Sequence, residues 1–176
     1  MIFNLFKSKP TLNELIPNGF VDIHSHVLPG IDDGAKNVKE SLELISKMKK
    51  LGFGKIIGTP HVYEQLYNNN KKTIKESFDS IENKYDNNIT VEYAAEYMID
   101  HTLMKKIENK SLLSIKNKYV LLEMSYIAES PNIHQIIFNI IMGGYIPIIA
   151  HPERYLYYQN DIKKFYKLKK WGCMFQ

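Results

Sequence analysis

The sequence has almost no cysteine and no long apolar run, and these absences exclude several classes of protein. Cys173 is the only cysteine among 176 residues, which excludes an intramolecular disulfide framework and a zinc ribbon built on cysteines. No apolar run approaches the roughly 20 residues that a membrane-spanning helix needs. The N-terminal stretch 1–7 is too short and too interrupted for a secretory signal. We therefore expect a cytoplasmic protein without a membrane span, and a buried, unreactive Cys173.

Neither sign of charge dominates the sequence, and arginine is almost absent. The formal net charge is +4, and the lysines are scattered instead of gathered in one block. That pattern indicates an ordinary solvated surface and argues against a nucleic-acid interface. Arg154 is the only arginine among the 23 basic residues, and it lies close in sequence to His151 and Glu153. This single guanidinium is therefore a candidate functional group.

Strand-like and helix-like patterns alternate along the chain. Short segments rich in β-branched and apolar residues predict strands, and apolar side chains at helical spacing predict helices. The predicted strands cover residues 20–23, 55–59, 89–95, 119–123, 146–150 and 171–176. The predicted helices are one between a cap at Asn37 and a closing Gly52, followed by 71–85, 100–108, 132–142 and 161–170. After a lead-in segment at 1–18, this alternation predicts one α/β domain with parallel strands and outer helices.

Histidine or glutamate side chains stand at the carboxyl ends of five predicted strands. In chain order they are His24 and His26, His61, Glu96, Glu123 and His151. Because the carboxyl ends of parallel strands meet at one edge of a sheet or barrel, these side chains should lie close together. A mixed set of imidazoles and carboxylates suits Mn, Fe or Zn better than Ca or Mg. The sequence therefore predicts a metal site at this edge.

Each of these residues also has a plainer interpretation when it is taken alone. His61 could be an ordinary loop histidine, and Glu96 and Glu123 could pair with lysines. His101 and His134 lie on predicted helices, so surface positions are the simpler expectation for them. It is the joint placement of the strand-end set that favours metal binding.

The stretch Asp22–Ala35 resembles a known family signature. It reads DIHSHVLPGIDDGA and is similar to the opening motif of the PHP-superfamily protein-tyrosine phosphatases of bacterial capsule and exopolysaccharide loci. Later strings are similar to the family's later motifs in the same order: Thr59-Pro60-His61, Ala95-Glu96-Tyr97, Leu122-Glu123-Met124 and Ala150-His151-Pro152-Glu153-Arg154. The resemblance runs from about residue 19 to residue 176. It implies a manganese-dependent phosphatase on a distorted, TIM-like (β/α)7 PHP barrel with three metal ions.

The resemblance also implies a set of metal ligands. The residues that match them are His24, His26, Asp33, His61, Glu96, Glu123 and His151. The two histidines of the first strand would hold the first metal, with Glu96 bridging it to the second. Glu123 and His151 would complete the second site, and Asp33 and His61 would hold the third.

Arg154 and Asp33 are the residues that this resemblance assigns to catalysis. Arg154 would bind the substrate phosphate through paired guanidinium donors. A metal-activated hydroxide would be the nucleophile, and the substrate would be phosphotyrosine of a bacterial tyrosine autokinase. Mn²⁺ is the expected metal, although Fe, Co or Zn would also suit this ligand set.

The sequence departs from the family pattern at its end. The family completes its site with an Asp-x-His pair after a later strand, and no such pair follows His151 here. A complete barrel of this general type runs to about 250 residues, so we expect 19–176 to be a barrel that lacks its C-terminal part. Two alternatives stay open. One is a small-molecule phosphatase, such as one acting on histidinol phosphate, and the other is a truncated, non-catalytic remnant that binds metal and forms oligomers.

Overall fold

The lead-in segment joins the body of the protein at the first strand. The computed structural model describes residues 9–159 and 161–176, so residues 1–8 of the expected lead-in lie outside the described residues. The N–H of Gly19 donates a 2.8 Å hydrogen bond to the carbonyl of Gly52. The end of the lead-in is therefore attached to the turn that precedes the second strand.

Parallel strands form the centre of the fold. The described residues form eight strands: β1 (Phe20–Ser25), β2 (Phe53–Gly58), β3 (His61–Val62), β4 (Thr90–Tyr93), β5 (Glu96–Met98), β6 (Tyr119–Glu123), β7 (Ile146–Ile149) and β8 (Met174–Phe175). They make one sheet in the order β1-β2-β4 and a second in the order β3-β5-β6-β7-β8. Every neighbouring pair of these strands is parallel. This confirms the predicted α/β fold with parallel strands.

Two stretches of chain pass from the first sheet into the second. β2 is followed directly by β3, and β4 is followed directly by β5. The strand predicted over 89–95 is present as the shorter β4, whereas β5, which follows it in the other sheet, was not predicted. Pro60 lies at the first crossing and has no N–H to donate to a neighbouring strand, which interrupts the ladder. The N–H of Ala94 donates to the carbonyl of Gly58 at 2.8 Å, and the N–H of Glu96 donates to that of Pro60 at 3.1 Å. These two hydrogen bonds connect the neighbouring chains across the break. Within each sheet the strands therefore lie side by side in the order in which they occur along the chain.

Helices connect most of the successive strands. They are α1 (Leu12–Leu15), α2 (Val38–Lys50), α3 (Lys71–Asp79), α4 (Leu103–Glu108), α5 (Ile133–Met142), α6 (Leu156–Gln159) and α7 (Ile162–Lys170), with a 3₁₀ turn at Pro152–Arg154. As predicted, the side chain of Asn37 caps α2 by accepting the N–H of Glu40 at 3.0 Å. The predicted helix 71–85 is too long, because Asn83 has a φ of 62°, which a right-handed helix cannot contain.

The core lies between the sheets and the inner faces of the helices. Its fully buried aliphatic side chains, at 0% exposure, include Ile56, Ile74, Val120, Leu122, Ile140 and Ile149. Burying one aliphatic side chain of this size stabilises a fold by about 1.5–3 kcal/mol. Because such a core is close-packed, it holds the ends of the strands in fixed positions.

Three predictions about residues outside the site agree with the structure in burial: Cys173 is inside, and His101 and His134 are at the surface, although His101 precedes α4 instead of lying on it. Cys173 is buried, and burial raises the pKa of its thiol to about 12. His101 lies at the surface with Nε2 2.9 Å from Oε2 of Glu64, and the exposed His134 packs on the ring of Trp171. None of the described helices is long and apolar enough to span a bilayer.

Candidate metal centre

The residues predicted at the strand ends lie together in one cleft. Its volume is about 850 Å³, and its lining includes His24, His26, Asp33, His61, Glu96, Glu123, His151 and Arg154. β1, β3, β5 and β6 each carry one of these residues, and the others lie in the segments that follow β1 and β7. The predicted residues therefore do meet in one place, although His61 and Glu96 begin β3 and β5 instead of ending a strand.

Glu96 lies at the centre of the cluster and is 0% exposed. Its Oε2 atom is 3.0 Å from Nδ1 of His61 and 3.2 Å from Nε2 of His24. Nε2 of His26 lies 3.6 Å from the same oxygen, and Nε2 of His151 lies 3.1 Å from Oε1. One buried carboxylate thus meets four imidazoles that come from three separate parts of the chain.

Glu123 is the second buried carboxylate of the cluster. Its Oε2 atom is 3.3 Å from Nδ1 of His61, and its Oε1 atom is 3.7 Å from Nε2 of His151. The hydroxyl of Tyr126 donates a 2.7 Å hydrogen bond to Oε1 of Glu123. Glu96 and Glu123 therefore face the same two histidines.

The adjacent residues Asp32 and Asp33 occupy different environments. The side chain of Asp33 is 62% exposed, and its Oδ1 atom lies 3.6 Å from Nε2 of His61 and 3.9 Å from Nδ1 of His26. The side chain of Asp32 is 0% exposed, with Oδ2 2.7 Å from Nδ1 of His26. Asp33 lines the cleft, whereas Asp32 supports His26 from within the protein.

The donor set fits a metal centre. Three overlapping groups bring their ligand atoms within 4.8 Å of one another: His24–His26–Glu96, His26–Asp33–His61 and His61–Glu96–Glu123. Three ring nitrogens lie 3.0–3.6 Å from Oε2 of Glu96, but none forms a hydrogen bond of good geometry with it, and Nδ1 of His151 is buried without a hydrogen-bond partner. A buried polar atom left unpaired costs free energy, and a cation bound at Oε2 of Glu96 would remove that cost there. Imidazole and carboxylate donors together suit divalent transition metals.

Opposite charges within the cluster stabilise one another. Burial raises the pKa of Glu96, but its contacts with His151, His24 and His61 outweigh burial and hold its pKa far below the usual range. Burial also lowers the pKa of His24 and of His61, but Glu96 outweighs it and raises both. The cluster therefore favours an ionised Glu96, the form in which a carboxylate binds a cation.

Unusual backbone geometry places two parts of the site. His151 has φ 31° and ψ 59°, a left-handed conformation that is uncommon for a residue other than glycine. The N–H of Arg154 donates to the carbonyl of His151 at 3.0 Å and closes the 3₁₀ turn. At Gly34, an added Cβ would lie 2.0 Å from the carbonyl oxygen of His26. Only glycine therefore lets the loop that carries Asp33 fold back against β1.

Arg154 lies at the edge of the cleft and is exposed. Its Nη1 atom is 3.5 Å from the hydroxyl of Tyr126. Among residues 9–159 and 161–176 it forms no ion pair with Glu153 or Asp161, the two acidic residues nearest to it in sequence. The guanidinium is therefore available to a ligand in the cleft.

Three further residues, Asp32, Tyr126 and Gln176, contact the predicted set and were not predicted from the sequence. Asp32 adjoins Asp33 in the Asp-Asp-Gly string, and that neighbourhood is a signal that could have identified it. Tyr126 carries no comparable signal, because its contact with Glu123 depends on the path of the loop after β6. Gln176 lies 152 positions from His24 in sequence, yet its Oε1 atom is 2.9 Å from Nδ1 of that histidine. That contact depends on the curvature of the whole set of strands.

Known proteins are similar to this chain in both sequence and fold. A family model for capsular polysaccharide synthesis, CpsB/CapC, matches residues 20–176. Tyrosine-protein phosphatase CpsB of Streptococcus pneumoniae is 31% identical over 160 residues, which cover 89% of this chain and 66% of that protein. Tyrosine-protein phosphatase YwqE of Bacillus subtilis (strain 168) is also 31% identical, over 89% of this chain and 63% of its own length.

A solved structure agrees with these sequence matches. It comes from the crystal structures of YwqE from Bacillus subtilis and CpsB from Streptococcus pneumoniae, which are described as unique metal-dependent tyrosine phosphatases. The match has a TM-score of 0.82 at 30% sequence identity and covers 89% of this chain and 65% of the solved chain. The chain thus spans just under two thirds of the length of the curated relatives it matches.

Proposed function

The chain belongs to the CpsB/CapC family of capsular polysaccharide synthesis proteins, and from that premise we propose that it is a metal-dependent protein-tyrosine phosphatase. The observation that carries the proposal is the buried cluster in which Glu96 meets four imidazoles. The sequence's only arginine, Arg154, lines the same cleft. Metal ions and a guanidinium together can neutralise the charge of a phosphate monoester during hydrolysis. Phosphotyrosine as the substrate is supported by the names of the relatives.

We assign the proposed metals to the three groups of ligand atoms, with Mn²⁺ as the resident ion. Glu96 belongs both to the group with His24 and His26 and to the group with His61 and Glu123, which supports a bridging role. His151, which lies beside Glu96 and Glu123, would complete the second metal site. Asp33 and His61 of the remaining group would hold the third metal. Manganese is supported by the mixture of nitrogen and oxygen donors, a mixture that Fe, Co and Zn also accept.

The chain's own side chains would bind and orient the substrate. Divalent ions held by the cluster would supply the Lewis acidity that polarises the phosphoryl group and lowers the pKa of water. Arg154 would bind two non-bridging phosphate oxygens through its paired donors. Tyr126, whose hydroxyl lies between Arg154 and Glu123, would hold the guanidinium beside the cluster. The carboxylate of Asp33 is 62% exposed, against 0% for Glu96, so Asp33 can contact and orient water that enters the cleft.

The proposed partner is a phosphotyrosine protein, a tyrosine autokinase of the capsule locus. The family's part in capsular polysaccharide synthesis supports this choice. Two apolar side chains that line the cleft are strongly exposed, Leu66 at 69% and Ile127 at 92%. They offer contact area to the aromatic ring of a tyrosine whose phosphate lies at the cluster. We propose the cytoplasm as the site of this reaction, because the scarcity of cysteine suits a reducing compartment.

We propose that residues 19–176 form part of a distorted (β/α)7 barrel. The strands follow one another in chain order through both sheets, and all pairings between them are parallel. Nδ1 of His24 in β1 lies 2.9 Å from Oε1 of Gln176, which directly follows β8. The first and last strands therefore approach each other, as curvature toward a barrel requires.

Turnover of two phosphate esters tests the proposed function. With Mn²⁺ supplied, we expect a phosphotyrosine peptide to be hydrolysed with a higher kcat/KM than histidinol phosphate. Glu96→Gln should abolish turnover of the peptide, whereas His134→Gln, which changes a surface histidine outside the cleft, should retain it. Preference for histidinol phosphate would indicate a small-molecule phosphatase, and absence of turnover with either ester would indicate a non-catalytic metal-binding protein. Either result would contradict the proposal.

A further inference from the structure

We infer that Asp32 is a positioning residue, which holds the ring of His26 so that its Nε2 atom faces Glu96. The inference rests on the proposed metal centre. Oδ2 of Asp32 lies 2.7 Å from Nδ1 of His26, and the side chain of Asp32 is 0% exposed. A carboxylate at this distance accepts a hydrogen bond, so Nδ1 of His26 carries a proton. The other ring nitrogen, Nε2, is then the one that can offer a lone pair, and it lies 3.6 Å from Oε2 of Glu96.

This arrangement is the one by which proteins orient histidine ligands. A metal-binding imidazole usually donates its other ring N–H to a carboxylate, which fixes the tautomer and the ring orientation. His26 is expected to coordinate through Nε2, and Asp32 occupies the position of that carboxylate. Asp32 does not line the cleft, so it acts through His26 instead of contacting an ion or a substrate.

Asp32 also fixes the backbone on both sides of the cleft. Its Oδ1 atom accepts the N–H of Gly34 at 3.0 Å, and its Oδ2 atom accepts the N–H of His61 at 3.2 Å. One carboxylate thus connects His26, the loop that carries Asp33, and the first residue of β3. A shift of Asp32 would displace all three at once.

The neighbouring aspartate shows why the two carboxylates differ in role. Asp33 is 62% exposed, and its nearest ring nitrogen is Nε2 of His61 at 3.6 Å. Asp33 therefore offers its oxygens to the cleft, whereas Asp32 uses both of its oxygens within the protein. In the Asp-Asp-Gly string, the first carboxylate positions a ligand, the second is available as a ligand, and the glycine permits the tight return of the loop.

The substitution Asp32→Asn tests this inference with little change of volume. Its amide oxygen can still accept a backbone N–H. The NH₂ group, however, would face either the N–H of Gly34, or both Nδ1 of His26 and the N–H of His61. If the NH₂ group faces Nδ1 of His26, the neutral ring must carry its proton on Nε2. We expect Mn²⁺ affinity, measured by competition with a chromogenic chelator, to fall about 10- to 100-fold.

The control is Asp100→Asn. Asp100 also accepts backbone N–H groups, from Thr102 at 2.8 Å and Leu103 at 3.1 Å, but it does not line the cleft or contact His26. This variant should keep the parent affinity for Mn²⁺. Equal affinity in Asp32→Asn and the parent, with both folded by circular dichroism, would overturn the inference.

A second measurement decides the inference even if Asp32→Asn fails to fold. Long-range ¹⁵N–¹H NMR of the parent protein, labelled at histidine and assigned with His26→Gln, reports which ring nitrogen of His26 carries the proton. We expect Nδ1 to be protonated before any metal is added. Protonation of Nε2 alone would overturn the inference. If the parent showed the expected tautomer but bound no Mn²⁺, the proposed function would fail while the positioning by Asp32 would stand.

Discussion

His61 and Glu96 are paired residue to residue at the first positions of β3 and β5, and this pairing places Nδ1 of His61 3.0 Å from Oε2 of Glu96. Both strands begin where the chain passes from the first sheet into the second. The break at Pro60 therefore has a consequence for the site, because it starts β3 in register with β5. The central contact of the candidate metal centre is thus a product of the sheet topology.

Removing the charge of Glu96 should reduce metal binding more than any other single change in the cluster. His26, His61 and Glu96 each belong to two of the three ligand groups, but only Glu96 is a carboxylate, so Glu96→Gln removes an anionic ligand from both of its groups. His24 belongs to one group, and His24→Ala should have the smaller effect. Elemental analysis after incubation with Mn²⁺ and gel filtration would measure the bound metal. A metal content of Glu96→Gln equal to that of the parent would show that Glu96 is not a bridging ligand.

Replacing Arg154 with lysine should impair turnover without changing metal content. Arg154→Lys keeps the positive charge but loses the paired donors that hold two phosphate oxygens. We expect a loss of about 2–3 kcal/mol in transition-state stabilisation, or roughly 30- to 150-fold in kcat/KM. Steady-state kinetics with Mn²⁺ supplied would measure it, and Lys170→Ala, at an exposed position outside the cleft, serves as the control. An Arg154→Lys variant within threefold of the parent would remove Arg154 from the mechanism.

Tyr126→Phe should weaken catalysis through Arg154. The substitution removes the hydroxyl that donates to Glu123 at 2.7 Å and accepts from Arg154 at 3.5 Å, but it keeps the ring. Because the guanidinium would lose its connection to the cluster, we expect kcat/KM to fall about 5- to 10-fold, the effect of one hydrogen bond. Tyr166→Phe, at a residue that is 60% exposed and outside the cleft, should have no effect. If Tyr126→Phe and Tyr166→Phe behaved alike, the Tyr126 hydroxyl would have no part in positioning Arg154.

Alkaline pH should destabilise the protein partly through Cys173. Burial raises the pKa of this thiol from 9.0 to about 12, so the folded state holds it neutral at pH values where the unfolded chain ionises. The resulting stabilisation is complete below pH 9 and is lost as the pH rises from there toward 12. In that range, one such group changes the free energy of unfolding by up to about 1.4 kcal/mol per pH unit.

Urea unfolding at several pH values from 8 upward would measure this dependence. Cys173→Ala should be less stable than the parent at pH 8, because it leaves a small cavity. It should nevertheless lose less free energy of unfolding than the parent as the pH rises above 9. Parallel pH profiles for the two proteins would show that the thiol does not contribute.

The ends of the strands were predictable from sequence, whereas the loops between them were not. Glu123 and His151 follow apolar runs whose pattern defines β6 and β7, so their place at the edge of the sheet could be derived. The start of a separate strand at Glu96 could not, because it depends on which neighbours β4 and β5 meet. The position of Tyr126 depends on a loop conformation that no local pattern specifies. The burial of Asp32 follows from the fold of the loop around Gly34, which tertiary contacts determine.

The dependence of phosphotyrosine hydrolysis on manganese tests the central claim most directly. The parent protein would be treated with a chelator, dialysed, and assayed on a phosphotyrosine peptide while Mn²⁺ is added back in steps. We predict no turnover after chelation, recovery that saturates with added Mn²⁺, and no recovery in Glu96→Gln at any concentration tested. Turnover that survives complete removal of metal, or that returns equally in Glu96→Gln, would contradict a metal centre built on Glu96.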